Sequence, residues 1–212
     1  DCLLSRGLGD VYKRQLQERQ RVSDLFGRYV GTEVARRALE EKPELGGETR
    51  HVAVLFVDVI GSTGFATEKE PQHVVKALNE FFDRVVEVVH ANKGIINKFE
   101  GDAALAVFGA PLPLDDVAGH ALAAARELKA KLQGLEFAAG VGVAAGSVVA
   151  GHIGAKDRFE YTVIGDAVNQ AARLTDLAKK TPGQVLTSAA TLRAANEAEQ
   201  ARWTMMTVSY TH

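Results

Sequence analysis

GIINKFEGDAALAVFG, residues 94–109, is the stretch that decides the fold. GIINKFEG (94–101) is one strand-forming run and DAALAVFG (102–109) a second, so the two read as a hairpin. Where they meet, NKFEGD, residues 97–102, sets a lysine and two carboxylates into apolar surroundings. Charges in such a place are costly to desolvate and need partners. They are either a wet turn or part of a site.

Upstream, HVAVLFVDV (51–59) reads as a strand, IGST (60–63) as a loop and residues 71–92 as a helix. Downstream of the strands 94–101 and 102–109 come the Pro-rich loop APLPLDD (110–116) and a helix over about 115–133. A strand over 137–154, a short strand over 159–165, a helix over 167–180 and the strand QVLTS (184–188) follow, with a last helical piece after them. The order βαββαβ predicts a ferredoxin-like α+β fold, a mainly antiparallel sheet with helices on one face.

The chain has 212 residues, 46% hydrophobic and 25% charged, enough for one domain with a real core. A net charge of -2 gives no reason to expect nucleic-acid binding. No apolar run approaches the length of a bilayer span, and no signal peptide is visible. The one cysteine, Cys2, makes no disulfide framework and suits a reducing compartment.

Residues 16–47 split into two short helices and a linker. Val22, Leu25, Phe26 and Val30 have helical spacing, Val34, Ala35 and Leu39 continue it past Gly31-Thr32, and KPELGG (42–47) leads into a main domain over 48–206. SRGLGDVYKRQ (5–15) resembles translated sequencing-adapter sequence, and VSYTH (208–212) resembles the same adapter end in reverse complement. Residues 1–15 and 207–212 are therefore expected to be non-native, and the part between to be an internal fragment of a longer protein, with room for a membrane anchor upstream.

Three groups of residues carry chemistry. Asp58 ends a strand beside a small-residue loop, where a carboxylate can hold a hard cation that carries a phosphate, or simply stop the strand. Ser62 and Thr63 can cap the next helix or meet phosphate oxygens. Asp102 lies at the bend of the hairpin, and the fold makes that hairpin a neighbour of the first strand. Asp58 and Asp102 can thus converge, and a divalent cation would relieve their repulsion; the alternative for Asp102 is a turn residue. In EYTVIGDAVNQAARL, Asn169 and Arg173 are i,i+4 and share a helical face, so the arginine offers a donor fork to phosphoryl oxygens unless it is simply solvated. Asp166 reads as that helix's cap.

FVDVIGST, NKFEGDAALAVFG and FEYTVIGDAVNQAARL together resemble the class III nucleotidyl cyclase catalytic domain, nearest to actinobacterial adenylate cyclases in which a HAMP segment precedes the cyclase. The likeness runs from about Val22 to about Ala195, and FGRYVGTEVARRAL is similar to the transducing segment of that group. It implies that Asp58, the Val59 carbonyl and Asp102 bind two divalent ions, Mg²⁺ or Mn²⁺. It also implies that Lys98 and Thr162 read adenine, that Asn169 orients the ribose and that Arg173 stabilises the pentavalent phosphorus. The implied reaction converts ATP to cyclic AMP and pyrophosphate at the interface of a homodimer. Asp58 and Asp102 of one chain would face Lys98, Thr162, Asn169 and Arg173 of the other, and a monomer would be inert. The domain would be cytoplasmic, in a parent at the inner face of the plasma membrane. Relatives continue past a tryptophan near Trp203 into a strand pair with an Arg or Lys on the triphosphate; its absence here implies weakened ATP affinity and a frayed sheet edge. Glu100 has no implied role beyond a structural partner.

The main alternative is a cyclase-like dimeric signalling module without catalysis, against which Asp58, Asp102, Asn169 and Arg173 argue. A receiver domain would need five βα repeats, a Walker ATPase its Gly-rich Lys loop, and a diguanylate cyclase its Gly-Gly-acid-acid-Phe turn. None of these is in the chain.

Overall fold

The computed structural model describes residues 45–155 and 157–206, with scattered helical positions from Gln17 to Gly27 and Gly31. The adapter-like segments, and Val22, Leu25, Phe26, Val30, Val34, Ala35 and Leu39, lie outside the described residues. The chain divides into Asp1–Glu44 and Leu45–His212, and the second unit holds the sheet.

Its elements are β1 (Gly46–Val59), α1 (Ser62–Glu68), α2 (Pro71–Ala91), β2 (Ile95–Glu100), β3 (Ala103–Phe108), α3 (Val117–Lys131), β4 (Ala139–Ala155), β5 (Arg158–Ile164), α4 (Asp166–Ala178), β6 (Val185–Thr187), α5 (Ala189–Ala194) and α6 (Glu197–Gln200). The sheet order is β2-β3-β1-β4-β5, all antiparallel, with β6 added parallel to β4. β1 is central and buried on both sides, which is why Val52 to Leu55 form an unbroken apolar run without alternation. It starts at Gly46 rather than His51, so two glycines expected in the linker pair with β4 instead.

One face of the sheet carries α2 and α3. Ala77, Phe81, Val85, Val88 and Val89 of α2 recur at helical spacing and pack with Leu122, Ala125 and Leu128 of α3 over Ala53, Leu55, Val57 and Phe108. Pro71 stands at the start of α2, where its missing N–H costs nothing. The Asp116 carboxylate caps α3 by accepting from the Gly119 N–H at 3.0 Å, and Lys129 and Lys131 lie in the last turn, where they suit the helix dipole.

The expected single helical face holds for α2 and α3, but α4 departs from it. Ala167 and Ala171 of α4 pack on the opposite side, with Val52, Val54, Leu105 and Val107. Close approach explains the small residues there. A Cβ at Gly142 would stand 2.3 Å from the Ala171 carbonyl oxygen and 2.4 Å from the Thr175 nitrogen, so the helix can lie on β4 only over glycine.

The C-terminal pieces are tied back to α3 by one polar cluster. Arg126 donates to Glu199 through two bonds of 2.7 and 2.8 Å, and the Trp203 indole N–H donates to the same carboxylate at 2.9 Å. Burial pushes the Glu199 carboxyl up, but the hydrogen bonds from Arg126 and Trp203 outweigh it and hold the group below its ordinary value. The same contact raises the Arg126 guanidinium.

Candidate functional site

Asp58, the last residue but one of β1, lies between two neighbours, Ala103 of β3 and Gly140 of β4. The next residue, Val59, donates its N–H to the Asp102 carbonyl at 3.4 Å. The register thus sets Asp58 beside the turn residue Asp102, which immediately precedes β3. Asp58 is a quarter exposed and pairs with the ammonium of Lys179, the residue that follows α4. Gly140 makes that pairing possible: a Cβ there would stand 2.6 Å from Lys179 Cγ. Asp102 is half-buried, and its carboxylate has no side-chain partner among the described residues. No group of three or more His, Cys, Asp or Glu side chains among the described residues could hold a metal unaided.

A second cluster forms where β5 approaches β2. Lys98 Nζ pairs with Glu160 at 2.7 Å, and Thr162, which is buried, donates its hydroxyl to Asn97 Oδ1 at 3.3 Å. The Asn97 amide donates in turn to the Tyr161 carbonyl at 2.8 Å. Lys98 and Thr162 are thus each held by a contact between β2 and β5 of the same chain, to Glu160 and to Asn97.

The third element is α4. Asn169 and Arg173, one turn apart, line a cleft of about 640 Å³ together with Gly146, Ser147, Asp166 and Leu177. Both are exposed, and neither has a side-chain hydrogen bond or ion pair within the described residues. Two unpartnered donors on one helix face, over a concave surface, can grip an anion.

Several expectations need correction. Ser62 and Thr63 do not cap a helix: Gly61 is the N-cap of α1, in the left-handed region at φ 76°, and both residues lie in the first turn, where a side chain is past the capping position. Asp166 is likewise the first residue of α4, whose N-cap is Gly165 with no side-chain cap bond; its charge still suits that positive helix end. Glu100 ends β2 exposed and without a side-chain partner among the described residues. Lys179, Asn97 and Glu160 were missed by sequence reasoning. The signal for Lys179 was a lysine pair closing an amphipathic helix opposite a strand of alternate glycines, AGVGVAAG. Asn97 and Glu160 left none, because their contacts depend on how β5 turns over the sheet.

Residues 46–208 match the family model for the adenylate and guanylate cyclase catalytic domain. An uncharacterized protein of Mycobacterium tuberculosis (strain ATCC 25618 / H37Rv) is 57% identical over 192 residues, 90% of this chain and 36% of that protein. A second protein of the same strain, also uncharacterized, is 55% identical over 192 residues with the same coverage. The chain thus spans about a third of the length of the curated relatives it matches. Among solved structures, the guanylyl cyclase Cya2 is 34% identical with a TM-score of 0.66, over 72% of this chain and 82% of that one. A bacterial light-regulated adenylyl cyclase superposes with a TM-score of 0.76 at 21% identity, over 87% of this chain and 57% of that one, which shows the shared fold. No helix among the described residues is long and apolar enough to cross a membrane. The fold, the matched span and the identity to a cyclase of known structure agree, and the chain belongs to the adenylate and guanylate cyclase catalytic domain family.

Proposed function

We propose that this domain is an adenylate cyclase, converting ATP to 3′,5′-cyclic AMP and pyrophosphate in a site shared between two copies of the chain. The observation that carries the reading is the state of α4. Asn169 and Arg173 project exposed over a cleft, unpartnered among the described residues, as half of a site awaiting its other half would leave them.

The donor set near Asp58 fits a divalent metal. Hard oxygens come from Asp58, the Val59 carbonyl and Asp102, and Asp58 already attracts a cation, the Lys179 ammonium. Two carboxylates suit Mg²⁺ or Mn²⁺, which keep sites open for substrate phosphates. Two such ions, when bound, lower the pKa of the ribose 3′-OH and offset phosphate charge.

The remaining work falls to side chains. Arg173 donates its fork to oxygens of the α-phosphate, where negative charge grows as the 3′-oxygen attacks. Asn169, on the same helix face, orients the ribose so that the attack is in line. Lys98 donates to the purine ring and Thr162 accepts from its amino group, and this pair favours ATP over GTP. Ser62 and Thr63, in the first turn of α1, are candidates for contacts with phosphate oxygens. Exposed Val149, Ile153, Phe159 and Ile164 on the β4–β5 arm give the second copy an apolar surface to cover. In the parent protein, residues 16–47 would transmit a signal from an upstream HAMP segment to this cytoplasmic domain at the inner face of the plasma membrane.

The test is an assay of cyclic nucleotide formed from ATP and from GTP, with Asp58→Ala and Arg173→Ala chains alone and mixed. Each variant alone should lose about 10³-fold in kcat. Random pairing makes half of the dimers mixed, each with one whole site, so the mixture should recover about a quarter of wild-type activity. No recovery would sink the shared site. No product from either nucleotide would favour a signalling module without catalysis.

A further inference from the structure

The pairing of β2 with β3 breaks at one point. Ile96 lies opposite Ala106 and Lys98 opposite Leu105, so Asn97 is an extra residue, a β-bulge. In a regular strand Asn97 and Lys98 would point to opposite faces. Here Ile96 packs with the α2–α3 core and the Phe99 ring lies tilted against Phe82 at 4.6 Å, while Asn97 and Lys98 both reach β5.

The bonds that Asn97 makes leave no freedom in the direction of its protons. The Tyr161 carbonyl can only accept, so the Asn97 NH₂ faces it at 2.8 Å and the amide oxygen is turned toward Thr162. That oxygen also can only accept, so the one Thr162 hydroxyl proton is committed to it at 3.3 Å. Thr162 is 7% exposed, which leaves few waters to relieve the arrangement. What its oxygen offers a ligand is lone pairs alone.

We infer that Asn97 is a specificity-determining positioning residue, which fixes the Thr162 hydroxyl as an acceptor and so selects a 6-aminopurine over a 6-oxopurine. The inference rests on the reading of Lys98 and Thr162 as the purine end of a cyclase site. An exocyclic amine donates to the Thr162 oxygen. A 6-oxo group would set lone pair against lone pair in a buried place, where an unmade hydrogen bond is costly. Lys98, held at 2.7 Å by Glu160, can donate only, which suits the unprotonated N1 of adenine and opposes the N1–H of guanine.

The test measures kcat/KM for ATP and GTP in the wild type, Asn97→Leu, Thr162→Val and the double variant, with binding of non-cyclisable α,β-methylene analogues of both nucleotides read by calorimetry. The wild type should prefer ATP in both measurements. In Asn97→Leu the Thr162 proton is released, and the ATP:GTP ratio should fall about 10-fold or more, the range of one buried hydrogen bond. Thr162→Val should lower the ratio by the same factor, and the double variant should go no further, since both changes remove one device. An unchanged ratio in a folded Asn97→Leu protein, or additive losses in the double variant, would overturn the inference. Should Asn97→Leu not fold, an unchanged ratio in Thr162→Val has the same force. A wild type that cyclises GTP in preference refutes it while leaving cyclase activity standing. Analogue binding whose ATP preference falls in Asn97→Leu, without turnover, upholds the role of Asn97 and rejects catalysis instead.

Discussion

The two faces of the sheet differ in what they are made of. Under α2 and α3 lie Phe81, Phe108, Leu55, Leu122 and Leu128, large side chains closed off from water. Under α4 the helix presents Ala167 and Ala171 to the sheet, and β4 answers with Gly140, Gly142 and Gly146. The first face buries volume. The second gives up volume to bring backbone close, and on this side α4 carries Asn169 and Arg173 and Lys179 pairs with Asp58. The large-residue core and the cleft of the proposed site thus lie on opposite sides of one sheet, and changes on the two sides should have different signatures.

The strongest challenge to that separation is Leu122→Ala. Removing a fully buried leucine leaves a cavity, and about 3 kcal/mol of stability should go, read as a lower urea midpoint with unchanged slope. KM for the nucleotide should hold at temperatures where the variant is folded. A shift in KM matching that of an Arg173 variant would show the faces to be coupled.

A smaller effect is expected at the tie between α3 and α6. Glu199→Gln leaves Arg126 without a charged partner and should cost about 1–2 kcal/mol at neutral pH, a figure reduced because Arg126 is a third exposed. The sign of its pH dependence is set by the lowered carboxyl of Glu199. Protons bind more tightly in the unfolded chain, so the stabilisation is complete above the ordinary carboxyl value and fades as pH falls through the folded one. The gap between wild type and Glu199→Gln should therefore be full above about pH 5 and close on further acidification, in melts recorded at each pH. A gap that widens in acid would contradict this account.

The smallest expected change is on the chemical face. Lys179→Met removes the cation that pairs with Asp58, and Mn²⁺ should bind the nucleotide-free protein a few-fold more tightly, followed by the spectrum of free Mn²⁺ in solution. Asp58→Asn in the same titration should weaken binding. Equal affinities in Lys179→Met and wild type would show that the lysine yields its place at no cost.

Much of this architecture was legible in the sequence, and for identifiable reasons. HVAVLFVDV reads as a strand because a strand covered on both sides needs no polar alternation, and α2 shows its buried residues at regular spacing. The positions of Asp58 and Asp102 followed from topology, since a hairpin beside the first strand brings residues distant in sequence to adjacent places. The side of the sheet taken by α4 did not follow. An Ala-rich helix advertises its buried face weakly, and the glycines of β4 that admit it record an approach rather than a direction. The bulge at Asn97 was also hidden, because an extra residue leaves local composition untouched and shows only when both strands are aligned. Lys179 and Glu160 were hidden for a related reason: a long side chain reports its partner only once the tertiary path is known.

The seat of α4 on glycine has a mechanical consequence. Asn169 and Arg173 ride on a helix that cannot slide across β4 without its backbone striking the strand, and Lys179 at the end of that helix is anchored to Asp58 at the end of β1. Within each protomer, β4 and α4 then move as one block. Among the described residues, the close seat of α4 on β4 leaves that helix little room to shift within a subunit. An upstream signal would have to work by turning one block against the other, and a single rotation would open or close both sites together.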